Sequence, residues 1–263
     1  DVSDALGELV PLARERFPFV SVGAQDAARA DLATLVALAS EVDALGAHRF
    51  RLADTVGAWH PQAVAAAVAA VRSAVPDLVV GVHAHDDLGM ATANTIAALA
   101  AGAQSADVTV LGLGERAGNA ALEEVALGVE LALGRASGLR LERLATICDQ
   151  VATAAGRPIP VGKAVVGAGA SRHESGIHVQ ALLRDRRTYE LYPPESVGRE
   201  RPAFVIGKHS GRAAVRASLA ELGVALPIGE ELALLAQIRA VAERHRRALS
   251  PQELLDLTRR RER

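Results

Sequence analysis

The chain has 263 residues, half of them apolar, and its 29 Lys and Arg nearly balance 31 Asp and Glu for a formal net charge of −2. Scattered, balanced charge excludes the basic stripe of a nucleic-acid binder, and the lack of any run of ~20 apolar residues excludes a membrane-spanning helix. With no basic-then-apolar leader and a lone cysteine, Cys148, set at helical spacing among apolar neighbours, a cytoplasmic protein with a packed core thiol is expected.

The sequence opens at Asp1 directly into a helical pattern (Leu6, Leu9, Val10, Ala13), so a preceding segment is expected. Four β-like runs follow, at 17–22, 49–53, 78–82 and 106–111, with starts about 30 residues apart, the length of a βα unit. Between them lie helical patterns: Leu32, Leu35, Val36, Leu38 and Val42, then Val64, Val68, Val71 and Val75, then Ala91, Ile96, Ala97 and Leu99. After each run come polar, chemically loaded residues. They are Gln25 and Asp26, Asp54 and Thr55, His83 with His85, Asp86 and Asp87, and finally Glu115, Arg116 and Asn119. Reactive groups at four successive strand ends favour a (β/α)8 barrel over an open doubly wound sheet, which gathers ligands at one switch point. Four units make half a barrel. The expected fold is α/β: the C-terminal half of a TIM (β/α)8 barrel over 1–134, then mostly helical C-terminal subdomains. These are a linker subdomain over 135–206 carrying HESGIH and Tyr189, with a Gly/Pro-rich irregular stretch after Gly156, and a helical subdomain over 207–263. A basic run, Arg259 to Arg261, reads as a solvated terminus.

Three segments carry candidate chemistry. His83 and His85 lie two apart at a strand end, so alternation points both imidazoles to one side, where they suit a divalent metal or a hydrogen-bonded pair, with Asp86 and Asp87 beside them. GLGERAGN puts Arg116 and Asn119 near a glycine-rich turn whose N–H groups could cradle a carboxylate or phosphate, or merely cap a helix. HESGIH holds His173 and His178, either a catalytic acid–base or structural histidines.

Together, LADTVG at 52–57, HAHDDLGMATAN at 83–94, GLGERAGNA at 112–120, HESGIHV at 173–179, YELYPPESVGR at 189–199 and IGKHSG at 206–211 resemble one family in order and spacing. It is the acyltransferase branch of the metal-dependent lyase and synthase barrels, comprising 2-isopropylmalate, homocitrate and citramalate synthases. The resemblance implies metal-assisted Claisen condensation of acetyl-CoA with a 2-oxo acid on Mg²⁺, Mn²⁺ or Zn²⁺. His83, His85 and Asn119 are then the metal residues. Thr55, Gln25 and Arg116 contact substrate. His178 and Tyr189 help take a proton from the acetyl methyl, reaching the partner subunit's site in an intertwined homodimer. The family's Arg-Asp-Gly-Glu first strand, source of a further metal ligand and the enolate-stabilising arginine, does not occur in this sequence, which implies inactivity without a complementing N-terminal half-barrel. Gln25 stands where glutamate is usual. Asp86 replaces a common asparagine, as in nitrogenase-associated homocitrate synthases. Only about fifty residues follow IGKHSG, short of a leucine-sensing domain, so 2-oxoglutarate, giving homocitrate, is expected as substrate. Alternatives are 2-isopropylmalate or citramalate synthesis, or a non-catalytic half-barrel component of a split enzyme.

Overall fold

The computed structural model describes residues 2–227 and 229–259, so the Asp1 start and Arg260 and Arg261 of the basic run lie outside the described residues. The chain divides into two compact units, Asp1–Pro158 and Ile159–Arg263. The first contains α1 (Val2–Arg16), β1 (Ser21–Ala24), α2 (Leu32–Ala44), β2 (Arg49–Asp54), α3 (Pro61–Ala74), β3 (Val79–Ala84), α4 (Ala91–Ala100), β4 (Ser105–Asp107), α5 (Leu122–Leu131) and α6 (Leu144–Ala155). All four strands pair in parallel, in chain order β1-β2-β3-β4. A helix crosses over between each strand and the next, and the order never reverses. That is the winding of a (β/α) barrel, not of an open sheet with a switch point.

The helices form where the apolar period predicts. Asp31 caps α2 by accepting from the Thr34 amide at 2.8 Å, and the helix buries Leu35, Ala39 and Val42. Pro61 opens α3, where its missing N–H matters least, and Val64, Ala67, Val68 and Val71 face inward. Against these helices the strands turn Phe50, Leu52, Val80, Val82 and Ala84, all fully buried, into one apolar core. Each such Val, Leu or Phe contributes about 1.5–3 kcal/mol through area removed from water.

Strands β2 and β3 begin and end within two residues of expectation, but β1 and β4 do not. Around 17–20, Phe17 continues the bonding of α1 (its N–H donates to Ala13 O, 2.8 Å), Pro18 lacks a donor, and the Phe17 and Phe19 rings stay exposed. Pairing starts where the His48 amide reaches Val20 O at 2.9 Å. At the other side the ladder ends at Asp107. The apolar run beyond it leaves the sheet: Leu111 adopts φ 60°, and Thr109 bonds to Ala120 and Leu122.

The first unit extends to Pro158, with α6 lying against the turn Val110–Gly112 and burying Leu144, Ala145 and Cys148. The second unit holds α7 (Gly176–Arg184), α8 (Arg212–Glu221), α9 (Glu231–His245) and α10 (Pro251–Arg259). Its core joins Val179 and Ile206 to Val215, Leu219, Leu234, Ile238 and Leu254, so packing runs across 206/207 without a break. Among the described residues no helix is long and apolar enough to cross a membrane.

Phe50 is fully buried between sheet and helices. Phe50→Ala should lower the stability of the first unit by about 3–5 kcal/mol, read as a shift in its urea unfolding curve.

Candidate active site

One face of the sheet packs on the helices; the other is polar. Arg49 and Arg51 on β2, Gly81 and His83 on β3, and Ser105 and Asp107 on β4 alternate with the buried apolar residues. Arg51 Nη1 donates to Asp107 Oδ2 at 2.7 Å, while Arg49 bridges three strands through Ser21 Oγ (2.9 Å) and Ser105 Oγ (3.0 Å). Glycine at 81 makes room for this: a Cβ there would stand 3.0 Å from Ser105 Oγ and 3.4 Å from Arg49 Cδ. This network escaped the sequence reading. Its signal is the strict alternation in RFRLAD, which sets both arginines opposite Phe50 and Leu52.

His83 and His85 do emerge on the same side, with ring centroids 4.8 Å apart and nearly perpendicular planes. The Asp54 carbonyl fixes the tautomer of His85. It can only accept, so the 3.0 Å contact to His85 Nδ1 requires a proton on Nδ1, and in the neutral ring the lone pair then lies on Nε2. Asn119 bridges to His85. Its Nδ2 donates to Leu113 O at 2.9 Å, which leaves a buried Oδ1 with no partner. His83 Nδ1 is likewise buried without a hydrogen bond. Burial, then the neighbouring His85, holds the His83 imidazole below the usual histidine range, and Arg51 adds to this against the opposing pull of Asp107. A neutral ring is the form that ligates metals. An unpartnered buried polar atom normally costs about 1–3 kcal/mol. Two imidazoles beside the unpartnered Asn119 oxygen fit a divalent cation, although no set of three His, Cys, Asp or Glu converges among the described residues.

The surrounding loops use their charges to hold shape. Asp54 is fully buried and accepts from the Ala58 and Trp59 amides at 2.8 and 3.0 Å. Asp86 accepts from the Ala91 amide at the start of α4, and Asp87 takes a two-pronged contact from Arg116 (2.8 and 2.9 Å). Neither aspartate is left over for the histidine pair. Arg116 also donates to Thr55 O, and the Asp26 amide donates to Thr55 Oγ1 at 2.7 Å. Gln25 is exposed at the end of β1. The glycine-rich loop is not the open anion cradle the sequence allows. The amides of Gly112, Leu113, Gly118 and Asn119 all bond within the loop or to its flanks. Gly118 sits at φ +102°, where a Cβ would collide with Gly112 O. The loop folds tightly and presents Asn119.

In the second unit, α7 carries His178, whose ring lies 4.1 Å from that of Tyr189 at a 30° tilt. His173 meets His178 edge-on at 6.4 Å. Two glycines lock the segment: the Cβ of an alanine at 176 would stand 2.8 Å from Gly211 Cα, so HESG and KHSG touch backbone to backbone. Glu190, also unforeseen, takes Arg186 (3.1 Å) and Arg201 (2.5 Å), which braces the chain beside Tyr189. A cleft of about 230 Å³ is lined by His173, Tyr189, Glu190, Tyr192 and Arg199.

Residues 1–151 match the HMGL-like family, and residues 165–246 match the homocitrate synthase post-HMGL domain-like family. The fold is therefore of the TIM-barrel type, an α/β design of parallel strands and helices. The chain belongs to the HMGL-like family. It is similar to a 2-isopropylmalate synthase 2 of Caldanaerobacter subterraneus, 43% identical over 97% of this chain and 66% of that protein. Similarity to homocitrate synthase 1 of a Nostoc species is 42% over 96% of this chain, again 66% of the relative. Among solved structures, hydroxymethylglutaryl-CoA lyase from Pseudomonas aeruginosa aligns with a TM-score of 0.54 and 26% identity, covering 60% of this chain and 57% of that one. The chain thus spans just under two thirds of the length of these curated relatives.

His173 offers a pH test. Burial holds it below its ordinary value of 6.5, with Glu190 opposing and His178 and Arg186 reinforcing. A depressed folded-state pKa contributes stability above the unfolded value that is lost as pH falls through the folded one. The urea midpoint of the second unit's transition should therefore drop from pH 7.5 to pH 5.5, and by less in His173→Gln.

Proposed function

We propose that this chain forms part of an acyltransferase that condenses acetyl-CoA with a 2-oxo acid, 2-oxoglutarate being the substrate and homocitrate the product, as in the nitrogenase-associated type. The observation that supports the reading is the pairing of Asn119 with the His83–His85 end of β3, with the buried Asn119 Oδ1 left without a partner.

His83, His85 through Nε2, and Asn119 through Oδ1 would hold a divalent cation, Mg²⁺, Mn²⁺ or Zn²⁺. When bound it supplies Lewis-acid polarisation of the 2-oxo acid's ketone. Thr55 Oγ1 already accepts from the Asp26 amide, so its O–H is free to donate to the substrate carboxylate. Arg116, held by Asp87, and Gln25 flank that carboxylate. His178 acts as the base for the acetyl methyl, the role a positioned imidazole most often takes in proton abstraction. Tyr189, stacked on His178, orients that ring and the thioester. The carbanion so formed attacks the ketone carbon, and hydrolysis of the thioester releases CoA. The arginine for the enolate oxygen and one acidic ligand come from residues outside this chain, and His178 and Tyr189 serve the partner's site in a homodimer.

A second reading takes 2-oxoisovalerate as substrate, since the 2-isopropylmalate synthase relative is as similar as the homocitrate synthase. Both readings are tested by combining the chain with a protein carrying the four preceding βα units and following CoA release with each 2-oxo acid. Turnover should require added cation, stop with chelator, and fall about 10²–10⁴-fold in His178→Ala. A preference for 2-oxoisovalerate selects the second reading. No turnover with any 2-oxo acid from a folded complex sinks both and leaves a non-catalytic half-barrel.

A further inference from the structure

Beneath the two histidines the strand register sets a carboxylate that the proposed chemistry does not use. His83 and Asp107 are direct partners in the β3–β4 ladder, so their side chains leave the sheet side by side on its polar face. Asp107 Oδ2 lies 3.8 Å from His83 Nδ1, the buried nitrogen without a hydrogen bond. The same oxygen accepts from Arg51 Nη1 at 2.7 Å, and Asp107 Oδ1 is 4.0 Å from Arg49 Nη1. Asp107 is braced from β2 and aimed at His83. Closing that gap to a hydrogen bond needs a shift of about 0.6–1 Å.

His85 already displays the completed arrangement. Its Nδ1–H donates to the Asp54 carbonyl at 3.0 Å, which in the neutral ring puts the lone pair on Nε2. Metal-binding histidines are generally set this way, the second ring nitrogen being anchored to a carbonyl or carboxylate. We propose that Asp107, steadied by Arg51, is the positioning residue of His83: it accepts the Nδ1–H and so directs Nε2 of His83 to the same cation as Nε2 of His85. This rests on reading the two histidines as metal ligands. Asp107 touches neither substrate nor cation; it acts through the ring.

The test uses the full chain labelled with ¹⁵N. Long-range ¹H–¹⁵N correlation reads the tautomer of His83 with no metal present, and titration with Mn²⁺ alone, followed by the loss of free-ion EPR signal, reads affinity. In the unaltered chain His83 should be the Nδ1–H tautomer. Asp107→Ala should shift it toward Nε2–H and weaken Mn²⁺ binding about 10–100-fold. Asp107→Asn, which keeps an acceptor oxygen and the shape, should restore most of both, and also serves if the alanine variant fails to fold. A His83 tautomer and Mn²⁺ affinity unchanged in both variants would overturn the proposal. Unchanged Mn²⁺ binding in His83→Ala would instead remove the cation from this site, while the tautomer still decides whether Asp107 sets the ring.

Discussion

Everything at the strand ends depends on the parallel register between β2, β3 and β4. It pairs Ala53 with His83 and Asp54 with Ala84 on one side, and His83 with Asp107 on the other. From that alignment the Asp54 carbonyl falls to His85, the Asp54 carboxylate falls to the Ala58 and Trp59 amides, and Asp107 falls beside His83. A slip of one residue would turn His83 into the helix-facing core and Val82 toward the open face. The fully buried Phe50, Leu52, Val80 and Val82 oppose such a slip, because their burial stabilises only one register. The apolar core and the candidate site are thus two faces of a single alternation.

Much of this was legible in the chain itself. Strands β2 and β3 stand out because valine, leucine and phenylalanine alternate with residues of another kind, and the histidines follow at a spacing that only a strand puts on one side. β1 and β4 were misplaced for a common reason: the runs around Phe17–Phe19 and Val108–Leu111 look like strands by composition, yet their hydrogen bonds are taken by α1 in one case and by residues 120–122 in the other. Local β preference yields to such competition. The arginines at 49 and 51 escaped because charge in a strand normally marks a solvated face, whereas here it lines the polar face of a barrel-type sheet. Asp86 and Asp87 stand beside the histidines in sequence, and in the fold one bonds a helix amide and the other an arginine from a distant loop. Such engagements follow from loop conformation, which residue type alone does not reveal.

The second unit follows a parallel logic. Its His178–Tyr189 stack depends on two supports far apart in sequence: the close approach of Gly176 and Gly211, and the grip of Arg186 and Arg201 on Glu190. Gly176 and Gly211 let the two backbones meet, which brings HESG and KHSG together. In both units, then, the candidate site side chains are held by ordinary ion pairs and backbone contacts around them.

The central claim is that His83, His85 and Asn119 together form a cation site on this chain. X-ray absorption at the zinc edge of the Zn²⁺-loaded chain tests it most directly. The account predicts two imidazole nitrogens at about 2.0–2.1 Å with the remaining shell oxygen, and loss of the imidazole scattering in the double variant His83→Ala, His85→Ala. An all-oxygen shell, or an imidazole signal that persists in the double variant, would contradict it.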